Sequence, residues 1–315
     1  MSGYRNSAQI FTIGLNELGQ RVDNYLFKSL KCIPKSKIYS LLRKGGIRVN
    51  GKHVEHIYRL KINDIIEVSS LWYSNKNSNF VKHFNNTFII LLQQSILYED
   101  KDLLIINKPS GIAVHGGTKI FNNVLDGLRF LYSYDVFLEL VHRIDRDTSG
   151  LLLLAKNRYS LCCLHKQFRN YQIKKKYLAL VYGIWPMDLK IVNIPVICKK
   201  IYKNSIKNKP LFINIKCSET HFSVKRYFKF STLIKAELIT GKTHQIRLHT
   251  SYLGHYIAFD KRYGKFEFDN RLSHTGLKRL FLHAYELNFI HPRTNKTILI
   301  RSPLDKDLKT CLDNL

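Results

Sequence analysis

Apolar and polar positions change period several times along this chain, and each change predicts an element. Val22, Tyr25 and Leu26 recur at helical spacing from Arg21 onward and predict a first helix. Pro34 opens a second, with Ile38, Leu41 and Leu42 on one face and Gly45-Gly46 as its stop. Ile47 and Val49 then alternate into Asn50-Gly51, a two-residue hairpin signal. A further strand near Ile62 to Val68 closes this unit around the turn residues Asn63-Asp64. Residues 1–18 read as a short strand and leading arm, 19–70 as a compact unit, and the Asn-rich polar stretch 71–95 as a linker. From 96 to 315 many short strands alternate with helices, one of them near Tyr159 to Tyr171. The fold class expected is α+β: a small N-terminal domain, then a mixed-sheet domain with a central cleft.

Composition adds a partner. The 315 residues carry 51 Lys and Arg against 23 acids, a net charge of +28. That excess points to a polyanion. Hydrophobic residues make up 45%, enough for a real core. No apolar run of about 18 residues and no basic-then-apolar leader occurs, so no membrane partner and a cytoplasmic location are expected. Six cysteines stand at Cys32, Cys162, Cys163, Cys198, Cys217 and Cys311 without Cys-x-x-Cys spacing, so neither a metal nor a disulfide is expected. No glycine-rich nucleotide loop is present, and no small-molecule cofactor is expected.

Candidate chemistry concentrates in one string. Val141-His142-Arg143-Ile144-Asp145-Arg146-Asp147-Thr148-Ser149-Gly150 sets two carboxylates, two arginines and a histidine between Leu138, Leu140 and the run Leu151–Leu154. Charges beside a buried strand must be paired, so the cluster is either a structural network or a reaction site. Three more strings accompany it. They are Asn107-Lys108-Pro109-Ser110-Gly111, Lys174-Lys175-Lys176-Tyr177-Leu178-Ala179-Leu180-Val181, and Gly241-Lys242-Thr243-His244-Gln245-Ile246-Arg247. Taken singly, each reads as a turn, a solvated basic strand or an outward Arg.

Together these strings resemble the signatures of RluA-type pseudouridine synthases, with Ile144 where Leu is usual and Lys242 where Arg is common. The resemblance implies an isomerase without cofactor, acting on ribosomal RNA of the large subunit (23S), and a monomer is expected. It makes Asp145 the catalytic residue, Arg247 its ion-pair partner and Tyr177 the aromatic that faces uracil. Arg143 is implied in displacing the target base. The Asn107–Gly111 segment is read as architectural, with Lys108 a candidate phosphate contact. Ala258–Gly264 and Arg279–Ala284 are read as shaping the pocket. The first unit resembles an S4 RNA-binding domain, with Lys35, Lys37, Arg43 and Lys44 as phosphate contacts. A basic tract at Lys199, Lys200, Lys203, Lys207 and Lys209 is read as a surface loop or hairpin tip. The competing readings are a non-catalytic S4-type ribosome-binding protein, an S4-linked methyltransferase and a two-carboxylate glycosidase. The methyltransferase lacks its cofactor loop, and the glycosidase leaves the +28 charge unexplained.

Overall fold

The computed structural model of the chain describes residues 9–30, 33–69, 84–116, 122–133, 136–198 and 214–315. The lysine tract at 199–210 and most of the polar stretch after 70 lie outside these residues. The chain divides into two compact units, Met1–His83 and Phe84–Leu315.

In the first unit, β1 (Gln9–Thr12), α1 (Val22–Ser29), α2 (Lys35–Arg43), β2 (Ile47–Val49) and β3 (Ile65–Val68) follow in order. The sheet order is β1-β3-β2. Val22, Leu26, Ile38, Leu41, Leu42, Ile47, Val49, Ile66 and Val68 form its core, as the apolar periodicity requires. Asn50 and Gly51 both have positive φ, 51° and 72°, and make the tight turn foreseen. The strand paired with β2 is not the next segment but β3, more than ten residues on. The Asn50 side chain ties this return: its Nδ2 donates to Asp64 at 2.8 Å and its Oδ1 accepts from the Ile65 amide at 2.8 Å.

The second unit opens with α3 (Asn86–Gln94), β4 (Ile96–Glu99), β5 (Leu103–Lys108), α4 (Val124–Leu131), β6 (Glu139–Leu140), β7 (Ser149–Ala155) and α5 (Arg158–Arg169). It continues with β8 (Lys174–Tyr182), β9 (Ile191–Asn193), β10 (Val196–Cys198), β11 (Asn214–Lys216), β12 (Glu219–Tyr227) and β13 (Ser231–Leu238). Last come α6 (Gln245–Tyr252), α7 (Phe266–Arg271), β14 (Leu282–Ile290), β15 (Thr297–Arg301) and α8 (Lys306–Asp313). Ten strands form one mixed sheet in the order β4-β5-β7-β14-β8-β13-β12-β9, with β15 on β14 and β6 on β7; β10 and β11 pair apart. The α3 helix falls within the stretch expected as linker. It is held by an Asn85 cap, whose side chain accepts from the Thr87 amide, and by Phe88 and Leu92 against Gly127 of α4. The asparagines before it hid the apolar run Phe88–Leu92.

Both faces of the central sheet are covered. Tyr177, Ala179 and Val181 of β8 join one core, and Leu178 and Leu180 join the other. That is why β7 and β8 read as nearly unbroken apolar runs instead of alternating ones. The β7–β14 contact is parallel and close: a Cβ on Gly150, at φ 102°, would lie 2.3 Å from the Ala284 carbonyl oxygen. Gly150→Ala is therefore expected to destabilise by about 2–4 kcal/mol, from combined overpacking and backbone strain. Urea denaturation checks this, and an unchanged midpoint would contradict the close approach.

Candidate active site

The charged string emerges as a loop between β6 and β7. Its backbone is stapled to the turn after β5. Ser110 Oγ donates to the Asp147 carbonyl at 2.6 Å, and the Gly111 amide donates to the Arg146 carbonyl at 2.9 Å. Lys108 is fully buried, and its Nζ donates to the carbonyls of Pro109, Ile112 and Arg146 at 2.6, 3.0 and 2.9 Å. The expected phosphate contact at Lys108 is thus corrected: no phosphate reaches an ammonium whose three protons are already placed on backbone carbonyls. Burial pulls this ammonium down to about 7, with Asp147 working the other way. The far side of the loop is held at Ser149, whose Oγ shares a 2.8 Å hydrogen bond with His283 Nδ1 and accepts from Arg279 Nη1 at 3.1 Å. Arg279 in turn bridges Asp305 and Asp307.

This frame leaves Asp145 at the wall of a cavity of about 490 Å³, shared with Arg143, Tyr177, His244 and Arg247. Residues more than 100 positions apart in the chain so converge. Arg143 is exposed at the cavity wall, where it can reach a ligand. Tyr177 is 8% exposed. It stands in β8 between Ala236 of β13 and Ala284 of β14, whose small side chains leave room beside the ring. Burial raises its phenol above the ordinary value, and Asp145 adds to the effect.

Arg247 lies near the start of α6, a helix, so Ile246 and Leu248 do not share its face. Its Nη1 stands 3.5 Å from Asp145. Its closer partner is Asp260, which takes Nε at 2.8 Å and Nη2 at 2.7 Å in a two-point pair. Asp260 also accepts from the Arg262 and Tyr263 amides at 3.0 and 3.1 Å. Burial acts against both charges. The pairing more than offsets it, holding the Asp260 carboxyl below and the Arg247 guanidinium above their ordinary values. The Tyr263 ring lies 5.0 Å from the guanidinium carbon.

Two members of this site were not singled out from the sequence. His244, in the left-handed conformation at φ 56°, places Nε2 3.6 Å from Asp145 and shares a 3.0 Å hydrogen bond between Nδ1 and the Tyr263 hydroxyl. Burial lowers its pKa, Asp145 opposes this, and Arg247 adds to burial. Asp260 sat in a string read only as pocket-shaping. A signal for it was available: a buried Arg has five donors and needs more than one acceptor.

Lys35, Lys37, Arg43 and Lys44 belong to the other unit. Lys35 and Lys37 lie in the first turn of α2, and Arg43 and Lys44 at its end, about 12 Å along the axis. Lys35, Arg43 and Lys44 are exposed, and Lys35 Nζ stands 5.0 Å from the Phe27 ring centroid.

A mixed sheet thus presents an aspartate beside an anchored arginine and a buried tyrosine to a cleft that also holds Arg143, Arg169 and Lys175. Comparison with known proteins gives the family. The family model for RNA pseudouridylate synthase matches residues 102–252, and that for the S4 domain matches residues 20–66. The chain is 45% identical over 313 residues to "Ribosomal large subunit pseudouridine synthase C" of Pasteurella multocida (strain Pm70), covering 98% of this chain and 94% of that one. It is 45% identical over 316 residues to the protein of the same name in Escherichia coli (strain K12), covering 98% and 97%. Among solved structures, Human RNA Pseudouridylate Synthase Domain Containing 4 superposes with TM-score 0.59 at 26% identity, over 73% of this chain and 95% of that one. The chain belongs to the RNA pseudouridine synthase family and carries an N-terminal S4 domain.

Removing Arg247 leaves Asp260 buried and unpaired. Arg247→Ala is therefore expected to lower stability by about 3–5 kcal/mol and Asp260→Ala by a similar amount, each read from the urea midpoint. Wild-type midpoints for both would mean that the pair is solvated.

Proposed function

We propose that this protein isomerises uridines of large-subunit ribosomal RNA (23S) to pseudouridine, with Asp145 as the catalytic residue. The observation that carries this reading is the Asp145 carboxylate in the cavity beside an arginine already anchored by Asp260. An arginine so fixed can keep a neighbouring carboxylate ionised without moving to meet it. The Pasteurella multocida and Escherichia coli relatives carry the name ribosomal large subunit pseudouridine synthase C and match this chain over 98% of its length, which supports the same substrate.

The reaction breaks the N1–C1′ bond of uridine, turns the uracil and joins C5 to C1′. The C5 proton leaves and N1 gains one, so atoms balance with no net redox change. Asp145 acts at the sugar–base junction, as a nucleophile or by taking a ribose proton. Tyr177 packs on the uracil and stands ready to carry a proton. Arg143, exposed at the wall, fills the gap left when the uridine leaves its stack, a step costing a few kcal/mol. The S4 domain docks through Lys35, Lys37, Arg43 and Lys44 on phosphates. The enzyme works in this reading as a cytoplasmic monomer without a cofactor.

Tritium release from 23S rRNA labelled at uracil C5, followed by mapping of carbodiimide-dependent primer-extension stops, tests the reading. Wild-type protein is expected to release tritium at discrete uridines, and Asp145→Asn to release none while binding RNA nearly as well. Tight binding with no release from wild type would turn the reading toward a binding protein. Replacing Lys35, Lys37, Arg43 and Lys44 by Gln is expected to flatten the slope of log affinity against log salt by roughly 3, with kcat at saturating RNA kept. An unchanged slope would remove these side chains from the RNA contact.

A further inference from the structure

The cavity that holds Asp145 does not end at the uracil-facing Tyr177. It continues along Phe168, Arg169, Tyr171 and Lys175 to Gly241. Two features of this extension are unexplained by the catalytic centre.

The first is Lys175. It shares the strand face of Tyr177, two residues on, and is 7% exposed. Among the described residues no carboxylate pairs with it; the Phe168 ring centroid lies 5.6 Å from Nζ. Lys176 shows the alternative, because it points to the other face and is neutralised by Glu286 at 2.7 Å. His142, behind Lys175, offers no negative charge. It is stacked on Phe168 at 5.2 Å, and its Nε2 accepts from the Leu153 amide. Lys108 is buried too, but three backbone carbonyls receive its protons. Lys175 has no such partners among the described residues, so an anion would stabilise its ammonium, and the cavity it lines is where one can reach it. Gly241 lines the same stretch of cavity, with a Cβ position 4.0 Å from Nζ.

The second is Tyr171. It follows α5 in the left-handed conformation, φ 56°, within a paired turn: its amide donates to the Phe168 carbonyl at 3.2 Å, and the Gln172 amide donates to the Gln167 carbonyl at 2.9 Å. Helices that end this way place glycine or asparagine at this position, because a bulky side chain is disfavoured there. Here the ring is retained and stands 59% exposed at the cavity wall. Strain kept for a side chain that packs so little points to a role outside the fold. An exposed aromatic beside cations is a surface on which an unpaired base stacks.

We propose that Tyr171 and Lys175 form a neighbour-nucleotide subsite, in which Lys175 holds a phosphate bordering the displaced uridine and Tyr171 stacks on the adjoining unpaired base. The subsite rests on the reading of the cavity as the place of a displaced uridine. It binds single-stranded RNA one nucleotide beyond the reacting one, so it selects target uridines in loops over those in helices.

The test uses the full-length protein and a 23S rRNA fragment bearing a uridine mapped as above. Companion fragments carry a neutral methylphosphonate at either phosphate bordering that uridine, or an abasic residue on either side. Tyr171→Gly, which relieves the strained backbone, is expected to raise KM roughly 5- to 150-fold with kcat kept and the melting temperature unchanged or raised. Tyr171→Phe is expected to behave as wild type. Lys175→Met is expected to raise KM roughly tenfold or more. One abasic fragment should lose affinity for wild type but lose nothing further for Tyr171→Gly. One methylphosphonate fragment should behave likewise with Lys175→Met. Losses that simply add, or a wild-type KM for Tyr171→Gly, would overturn the subsite while conversion by wild type left the function standing. No conversion of the intact fragment by wild type would overturn the function, and the subsite with it.

Discussion

The site depends on one guanidinium divided between two carboxylates. Arg247 is 7% exposed, and a cation so buried persists only where its charge is met. Asp260 meets it with two short hydrogen bonds from a backbone turn that also supplies two amides to the same carboxylate. What remains is Nη1, aimed at Asp145 across 3.5 Å. The division separates structure from chemistry: Asp260 carries the folding load, and Asp145 stays 22% exposed on its side chain, open to a ligand. Had Asp145 been the closer partner, its oxygens would be occupied by the ion pair.

The same separation governs the loop that carries Asp145. Lys108 and Ser110 fix the loop from one side through backbone carbonyls, and the Arg279–Ser149–His283 cluster fixes it from the other. None of these side chains lines the cavity of Asp145. They hold the positions of backbone atoms, and the Asp145 side chain is met separately, by Arg247 at 3.5 Å and His244 at 3.6 Å. The close β7–β14 approach at Gly150 brings the strand after the loop against the middle of the sheet, next to β8 and Tyr177.

Charge is distributed to match. Exposed helix and cavity positions carry cations such as Lys35, Arg43, Lys44 and Arg143, while several less exposed arginines and lysines are paired with carboxylates. Arg247 pairs with Asp260, Arg279 with Asp305 and Asp307, and Lys176 with Glu286. Lys175 departs from this arrangement, and it does so inside the cavity.

Much of this was legible in the chain itself. The helices and turn of the first unit follow from periodicity, Pro34, and Asn50-Gly51, because those signals are local. The residues that line the Asp145 cavity were legible as strings of unusual chemistry between apolar runs. What the chain alone could not give was partnership. Asp260 and His244 do not stand out in the chain, and Lys108, in a segment rightly read as architectural, reads also as a candidate phosphate contact, because a side chain's partner depends on which distant backbone packs against it. Lys108 meets Arg146 across 38 positions, and Arg247 meets Asp145 across about 100. Local propensity decides where helices and strands lie. Only the assembled sheet decides which charge is buried, and therefore which must be paired and which stays open to a ligand.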